Sequence, residues 1–164
     1  MVDFDKLFIV DEVVPVQEGS EDVRIGEFTF KPHIISLSEF DIGGVLYHAN
    51  YFHLYEQARE ALLHELGFPY SAIVGRGQHL AIVESEQRFL KPITYGQSIE
   101  IGMRCQELKS ASLTFAYVFY AKDLVVHRAC TRHAFVAKDE NGVFKPTRLP
   151  PELVNALSAR FTRE

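Results

Sequence analysis

Residues 41–66 read DIGGVLYHANYFHLYEQAREALLHEL, and this stretch decides the fold. In its second half Tyr51, Leu54, Tyr55, Ala58, Ala61, Leu62 and Leu66 recur at three-and-four spacing. His53, Gln57, Glu60 and His64 mostly take the other side. That is the pattern of a helix with one apolar stripe. Gly67 is a natural stop and Pro69 prevents continuation, so the spacing predicts a helix from Tyr51 to Leu66.

Downstream the period changes to two. Leu80–Phe89 reads as a strand whose first half is apolar on both faces, and Pro92 and Gly96 mark a turn. Ile99, Ile101, Met103 and Cys105 then alternate with Glu100, Gly102, Arg104 and Gln106, the cleanest strand signal in the chain. Lys109-Ser110 turns into Leu113, Phe115, Tyr117 and Phe119 at every second position. Lys122-Asp123 turns into a strand over Leu124–Lys138, closed by Asp139-Glu140-Asn141-Gly142. Upstream, Phe28–Phe40 is strand-like although Pro32 interrupts it. A short turn or helix is expected at Tyr70–Val74. Pro151 ahead of Leu153, Val154, Leu157 and Phe161 predicts a short C-terminal helix. Near the N-terminus an apolar stretch, Leu7–Val16, leads to a turn at Gly19–Asp22.

Strands joined by short turns pair antiparallel. A helix with one apolar stripe must bury it, and an antiparallel sheet has one face to offer. The expected class is therefore α+β, one long helix cradled by a sheet. Its edge strands need protection, and pairing with a second subunit is one solution. The chain divides into an N-terminal extension at 1–27, a main domain at 28–140, and a tail with a short helix at 141–164.

Composition narrows the function. The 164 residues suit one domain. Acidic residues outnumber basic ones, 22 to 17, for a net charge of −5, and no basic run stands out, which argues against nucleic acid as partner. Cys105 and Cys130 lie inside alternating apolar stretches and read as buried or half-buried free thiols, fitting a reducing compartment. The first residues include Asp3, Asp5, Asp11 and Glu12, unlike the basic start of a signal peptide, and nothing reaches the length of a membrane span. A cytoplasmic location is expected.

The first half of the opening stretch carries the chemistry. Asp41 is followed by Gly43 and Gly44 and, shortly after, by a helix start. Glycines let backbone approach a ligand closely. The first N–H groups of a helix lack internal partners, and the dipole there favours negative charge. A carboxylate beside unpaired donors is what acyl transfer needs: a base or nucleophile next to an oxyanion hole. A plain cap or Asx turn at Asp41 satisfies the same pattern on local physics alone.

The stretch closely resembles the signature of the 4-hydroxybenzoyl-CoA thioesterase family, in particular the bacterial acyl-CoA thioesterases found alongside the Tol–Pal system. The matching positions are Asp41, Gly43, Gly44, Val45, Tyr47, His48, Ala49 and Tyr51, then Tyr55, Glu56, Ala58 and Arg59. Weaker agreement runs through Pro92 and Gly96 to Lys138. The resemblance implies the hotdog fold and thioester hydrolysis. It gives Asp41 as the catalytic carboxylate, attacking the thioester carbonyl or activating water, and the His48 N–H as the donor to the carbonyl oxygen. Gly44 leaves room for substrate, and the side chains of Tyr47 and His48 orient substrate or Asp41. Gly43, Val45 and Tyr51 complete the expected substrate contacts. No metal or cofactor is called for beyond coenzyme A as part of the substrate. The expected substrate is an acyl-CoA or acyl-carrier-protein thioester, and the expected assembly a homodimer or homotetramer. Residues 1–27 have no counterpart in the short family members.

Arg88, Lys91, Arg128 and Arg132 are candidates for the phosphates of coenzyme A, Arg88 and Lys91 foremost, with solvated strand-end charges as the alternative. Glu56 and Arg59, three apart on the helix, read as an ion pair worth a few tenths of a kcal/mol. His127 and His133 share a strand face about 20 Å apart at strand rise, too far for a common metal, and read as surface or core histidines. Two rival functions remain at this point. One is a hotdog hydratase or dehydratase acting on 3-hydroxyacyl thioesters, whose signature is a His with an acidic partner. The other is a non-catalytic acyl-thioester-binding module.

Overall fold

Among the described residues six strands form one antiparallel sheet with a helix across one face. In chain order they are β1 (Phe28–Phe30), β2 (Gln78–Phe89), β3 (Ile99–Leu108), β4 (Ser112–Ala121), β5 (Leu124–Lys138) and β6 (Phe144–Pro146). The helices are α1 (Asn50–Glu65), α2 (Tyr70–Gly75) and α3 (Pro151–Phe161). The computed structural model describes residues 28–32 and 35–161. The expectations for Leu7–Val16, for the turn at Gly19–Asp22 and for the extension at 1–27 lie outside the described residues.

The central helix forms where its spacing predicts, and its end is closed by backbone bonds. Gly67 N–H donates to His64 O at 3.1 Å and Phe68 N–H to Leu63 O at 2.8 Å, the Schellman arrangement. Tyr51, Leu54, Tyr55, Ala58, Leu62 and Leu63 are buried. They pack in one cluster with Ile101 and Met103 of β3, Phe115, Tyr117 and Phe119 of β4, and Ala129 and Phe135 of β5. Burying each large side chain of this set is worth about 1.5–3 kcal/mol. His53, Gln57, Glu60 and His64 face solvent.

Two of the expected hairpins form, β3–β4 and β4–β5. Lys122 turns the second with a φ of 55°. The pairing around β2 differs from expectation. The sheet order is β1-β3-β4-β5-β2, so the turn at Pro92–Gly96 does not join sheet neighbours, and β2 crosses over to pair with β5. β5 pairs with β4 along one edge and offers its second edge to β2 from His127 to Ala137. Register shifts at Ile82/Glu84, Cys105/Glu107 and Phe119/Tyr120 mark bulges, which bend the strands they interrupt.

Phe28–Phe40 is not one strand. Pairing with β3 stops at Phe30, Leu37–Glu39 forms a 3-10 turn capped by Ser36, and Phe40 makes an isolated bridge with Leu46. The segment expected as a C-terminal tail contributes to the fold. β6 extends the ladder on β5, and Leu149, Leu153 and Leu157 join the core. Arg160 of α3 pairs with Glu65 at the end of α1 at 3.6 Å. Cys105 is half-buried and Cys130 buried, both as free thiols.

Leu62 is fully enclosed between α1 and the sheet. Leu62→Ala is expected to lower unfolding free energy by about 2–5 kcal/mol, read from urea denaturation followed by circular dichroism.

Candidate active site

Asp41 sits in a loop that backbone hydrogen bonds pin on both sides. Its N–H donates to Val45 O at 2.9 Å, and its carbonyl accepts from Gly44 N–H at 3.0 Å. Leu46 N–H donates to Ile93 O at 2.8 Å, and Tyr47 N–H to Glu39 O at 2.9 Å. Asn50 at the start of α1 donates its side-chain amide to the same Glu39 carbonyl at 2.8 Å. The loop and the helix start are therefore tied to one point.

The Asp41 carboxylate is oriented from within. Oδ1 accepts from Gly43 N–H at 2.8 Å and from Val45 N–H at 3.4 Å. Oδ2 accepts from no described residue. A Cβ on Gly43 would lie 3.1 Å from Oδ1, so a side chain there presses on the carboxylate it is meant to hold. Gly44 has a φ of +73°, the left-handed region that glycine adopts without strain. The chain then enters α1 at Ala49 with no side-chain cap. The N–H groups of His48 and Ala49 donate to no acceptor among the described residues.

Asp41 and His48 line the same pocket, of about 330 Å³, with Val45, Leu46, Tyr51, Phe89, Leu90, Lys91 and Pro92. The structure thus brings Asp41, Val45, His48, Tyr51 and Lys91 together from the residues expected by sequence. Gly43 and Gly44 shape the loop without lining the pocket. Tyr47 stands beside it, half exposed, its ring 4.3 Å from the His48 ring. Arg88 is placed elsewhere. Its neighbours Gln87 and Phe89 contact α1, so strand alternation turns Arg88 to the opposite sheet face, in register with Arg128.

Beneath the pocket lies an aromatic block that the sequence reading left out. Tyr51 packs on Phe89, Phe119 and His127, with centroids at 5.1, 5.7 and 4.4 Å. His127 is fully buried, and burial pushes its pKa down to about 3, so the imidazole is neutral. Its Nε2 bonds to the Tyr55 hydroxyl, which donates to Gln87 Oε1 at 3.0 Å. Nδ1 is buried with no partner among the described residues. Burial also raises the Tyr51 phenol to about 12. The available signal was parity: His127, Ala129, Thr131, His133 and Phe135 share the core-facing side of β5.

The expected Glu56–Arg59 pair does not form among the described residues. Arg59 turns inward and donates to the Tyr117 hydroxyl at 3.1 Å. Tyr117 bonds to Thr131 at 3.0 Å and Thr131 to His133 at 2.8 Å, a chain of four side chains running into the core.

One helix laid on an antiparallel sheet, with a carboxylate beside the helix start, defines the hotdog class of acyl-thioester proteins. The chain belongs to the Thioesterase-like superfamily, whose family model matches residues 35–157. It is similar to a putative esterase of Aquifex aeolicus, 31% identical over 75% of this chain and 92% of the relative. It is also similar to the putative acyl-CoA thioesterase YneP of Bacillus subtilis, 30% identical over 68% of this chain and 80% of the relative. A crystal structure of a hypothetical Aquifex aeolicus protein superimposes with a TM-score of 0.73 at 30% identity, covering 79% of this chain and 98% of that one.

The two buried histidines generate a pH dependence. Burial lowers the pKa of both His127 and His133 to about 3, against about 6.5 unfolded. Below pH 6.5 the unfolded chain takes up protons that the folded chain refuses, so stability falls as pH drops toward 3. In His127→Gln the unfolding free energy is expected to fall less steeply between pH 6 and 4, by up to about 1.4 kcal/mol per pH unit. Urea titrations at stepped pH measure the two slopes.

Proposed function

We propose that the protein hydrolyses an acyl-CoA or acyl-carrier-protein thioester to free acid and thiol. The observation that supports this most is the shared pocket: Asp41, with one carboxylate oxygen left over by the loop, and His48, whose N–H donates to no described residue, line one cavity at the start of α1. The superfamily and the thioesterase name carried by the Bacillus subtilis relative point the same way.

In this reading Oδ1 stays bonded to Gly43 N–H while Oδ2 acts. It either attacks the thioester carbon, forming an anhydride that water then opens, or takes a proton from the water that attacks. The carbonyl oxygen gathers negative charge and accepts from the His48 N–H, where one such donor is worth about 3 kcal/mol of barrier. The helix dipole adds to it. The C–S bond breaks; the thiolate takes the proton that Asp41 drew from water in the base route, or a proton from solvent in the anhydride route. A thioester carbonyl has little resonance stabilisation, so a placed carboxylate and one donor suffice without metal or cofactor. Coenzyme A enters as part of the substrate, and Lys91 lines the pocket wall, which supports a role for it in meeting the phosphates.

The Asp-x-Gly-Gly motif favours the 4-hydroxybenzoyl-CoA thioesterase type, of the Tol–Pal-associated kind, over a hydratase or a silent binding module. A cytoplasmic homodimer or homotetramer fits the free thiols and the 12-residue edge strand β2, which exposes Ile82, Val83 and Phe89.

Asp41 is exposed and outside the core, so Asp41→Ala and Asp41→Asn are expected to fold as wild type. Both are expected to cut kcat for thiol release by about 10²–10⁴-fold, the usual weight of a general base. A thiol-release assay over acyl-CoA and acyl-carrier-protein substrates measures this, and full turnover in Asp41→Ala refutes the assignment.

A further inference from the structure

The sheet has two faces, and the described helices all lie on one of them. The buried stripe of α1, Ile73 of α2, and Leu153 and Leu157 of α3 join one core cluster on the inner face. Among the described residues no helix lies on the outer face. Its middle is nevertheless enclosed. Ala116, Val118 and Tyr120, the outward residues of β4, form a second buried cluster with Val125 packed against it, at 3, 7 and 9% exposure. Thr114 on the same side of β4 is buried too, as is Cys130, the neighbour of Ala116 on β5. An apolar row in the centre of a sheet face stays out of water only under a cover.

Cations predominate on this face. Strand register aligns Thr29, Gly102, Val118, Arg128 and Arg88 in one row across β1, β3, β4, β5 and β2. Arg104 lies in the next row, opposite Ala116. Arg88 and Arg128 are direct cross-strand neighbours, an arrangement that costs stability unless anions stand close. Among the carboxylates of the same face, Glu84 pairs with Arg132 and Glu100 with Lys31 at 3.6 Å, which leaves Glu86.

The chain carries the complement in its own sequence. Residues 1–27 hold eight acidic side chains against Lys6 and Arg24. Asp3, Asp5, Asp11 and Glu12 are interleaved with Phe4, Leu7, Phe8, Ile9 and Val10, so one segment offers apolar cover and anions together. It leads into Phe28 of β1, and the next residue, Thr29, stands at the end of the arginine row. Five strands span about 19 Å from the first to the last. Twenty-seven residues reach up to about 90 Å when extended, ample to cross them. A second copy fits less well, because a two-fold axis would set arginine against arginine.

We infer that residues 1–27 cross the outer face of their own sheet, with apolar side chains over Val118 and Tyr120 and carboxylates on Arg88, Arg104 and Arg128.

The test is zero-length carbodiimide coupling, which joins a lysine amine to a carboxylate in ion-pair contact. It is run on the full chain as Arg104→Lys and, separately, as Arg128→Lys. Half of each sample is isotopically labelled, the two halves are refolded together, and linked peptides are read by mass spectrometry. Circular dichroism checks that each variant folds, and either folded variant decides. The native Lys31–Glu100 pair reports that coupling has occurred. The expected result is a link from position 104 or 128 to a carboxylate between Asp3 and Glu27, in peptides of a single isotope. Links from these positions to Glu86 or other sheet carboxylates alone overturn the inference. So does the Lys31–Glu100 link with none at either position. Links to residues 1–27 in peptides of mixed isotope place another copy's segment on the face and overturn it as well.

Discussion

The apolar stripe of α1 can be covered in one way only, by the inner face of the sheet, and this burial positions everything else. Tyr51, Leu54, Tyr55, Ala58 and Leu62 reach the sheet together, so the helix can neither slide nor rotate without exposing several large side chains. Its first turn is held at the end of β2, where Phe89, Leu90 and Lys91 stand. A fixed helix start means fixed N–H groups, and fixed N–H groups are the precondition for a preorganised oxyanion site.

The loop ahead of the helix repeats that logic at smaller scale. Glu39 O accepts from Tyr47 N–H and from Asn50 Nδ2, so the loop and the helix share an anchor. Within the loop, Asp41 folds back on Gly43 and Val45 with one carboxylate oxygen. This is the Asx turn that local physics favours at such a position, and it is compatible with chemistry because it occupies Oδ1 and leaves Oδ2. The structural and catalytic readings of Asp41 are therefore two oxygens of one side chain. The absence of a Cβ at Gly43 keeps the arrangement open.

Local patterns carried the helix, the β3–β4–β5 meander and the C-terminal helix, because each is written in periods of two or 3.6 and in turn residues. The partner of β2 was not legible. A turn at Pro92–Gly96 looks like a hairpin, and only the second edge of the long β5 makes the crossover favourable. The short β1 escaped for a related reason: Phe28–Phe40 has strand composition, but only its first residues find a neighbour. At the site, Asp41, Val45, His48 and Tyr51 could be named because they lie in one contiguous motif. Tyr55, Gln87, Phe89 and His127 come from three separate elements and meet only through the packing of α1 on the sheet. Arg59 shows the same limit. Its spacing to Glu56 suggests a surface pair, while a buried Tyr117 hydroxyl draws it inward.

The central claim is that Oδ2 of Asp41 and the N–H of His48 act on one carbonyl. The most direct measurement is a crystal structure with a non-hydrolysable acyl-CoA analogue in which a ketone replaces the thioester. The ketone oxygen is expected about 2.7–3.1 Å from His48 N, and Asp41 Oδ2 about 3–3.5 Å from the carbonyl carbon. A ketone bound away from the start of α1, with both Asp41 oxygens engaged by the loop, contradicts it.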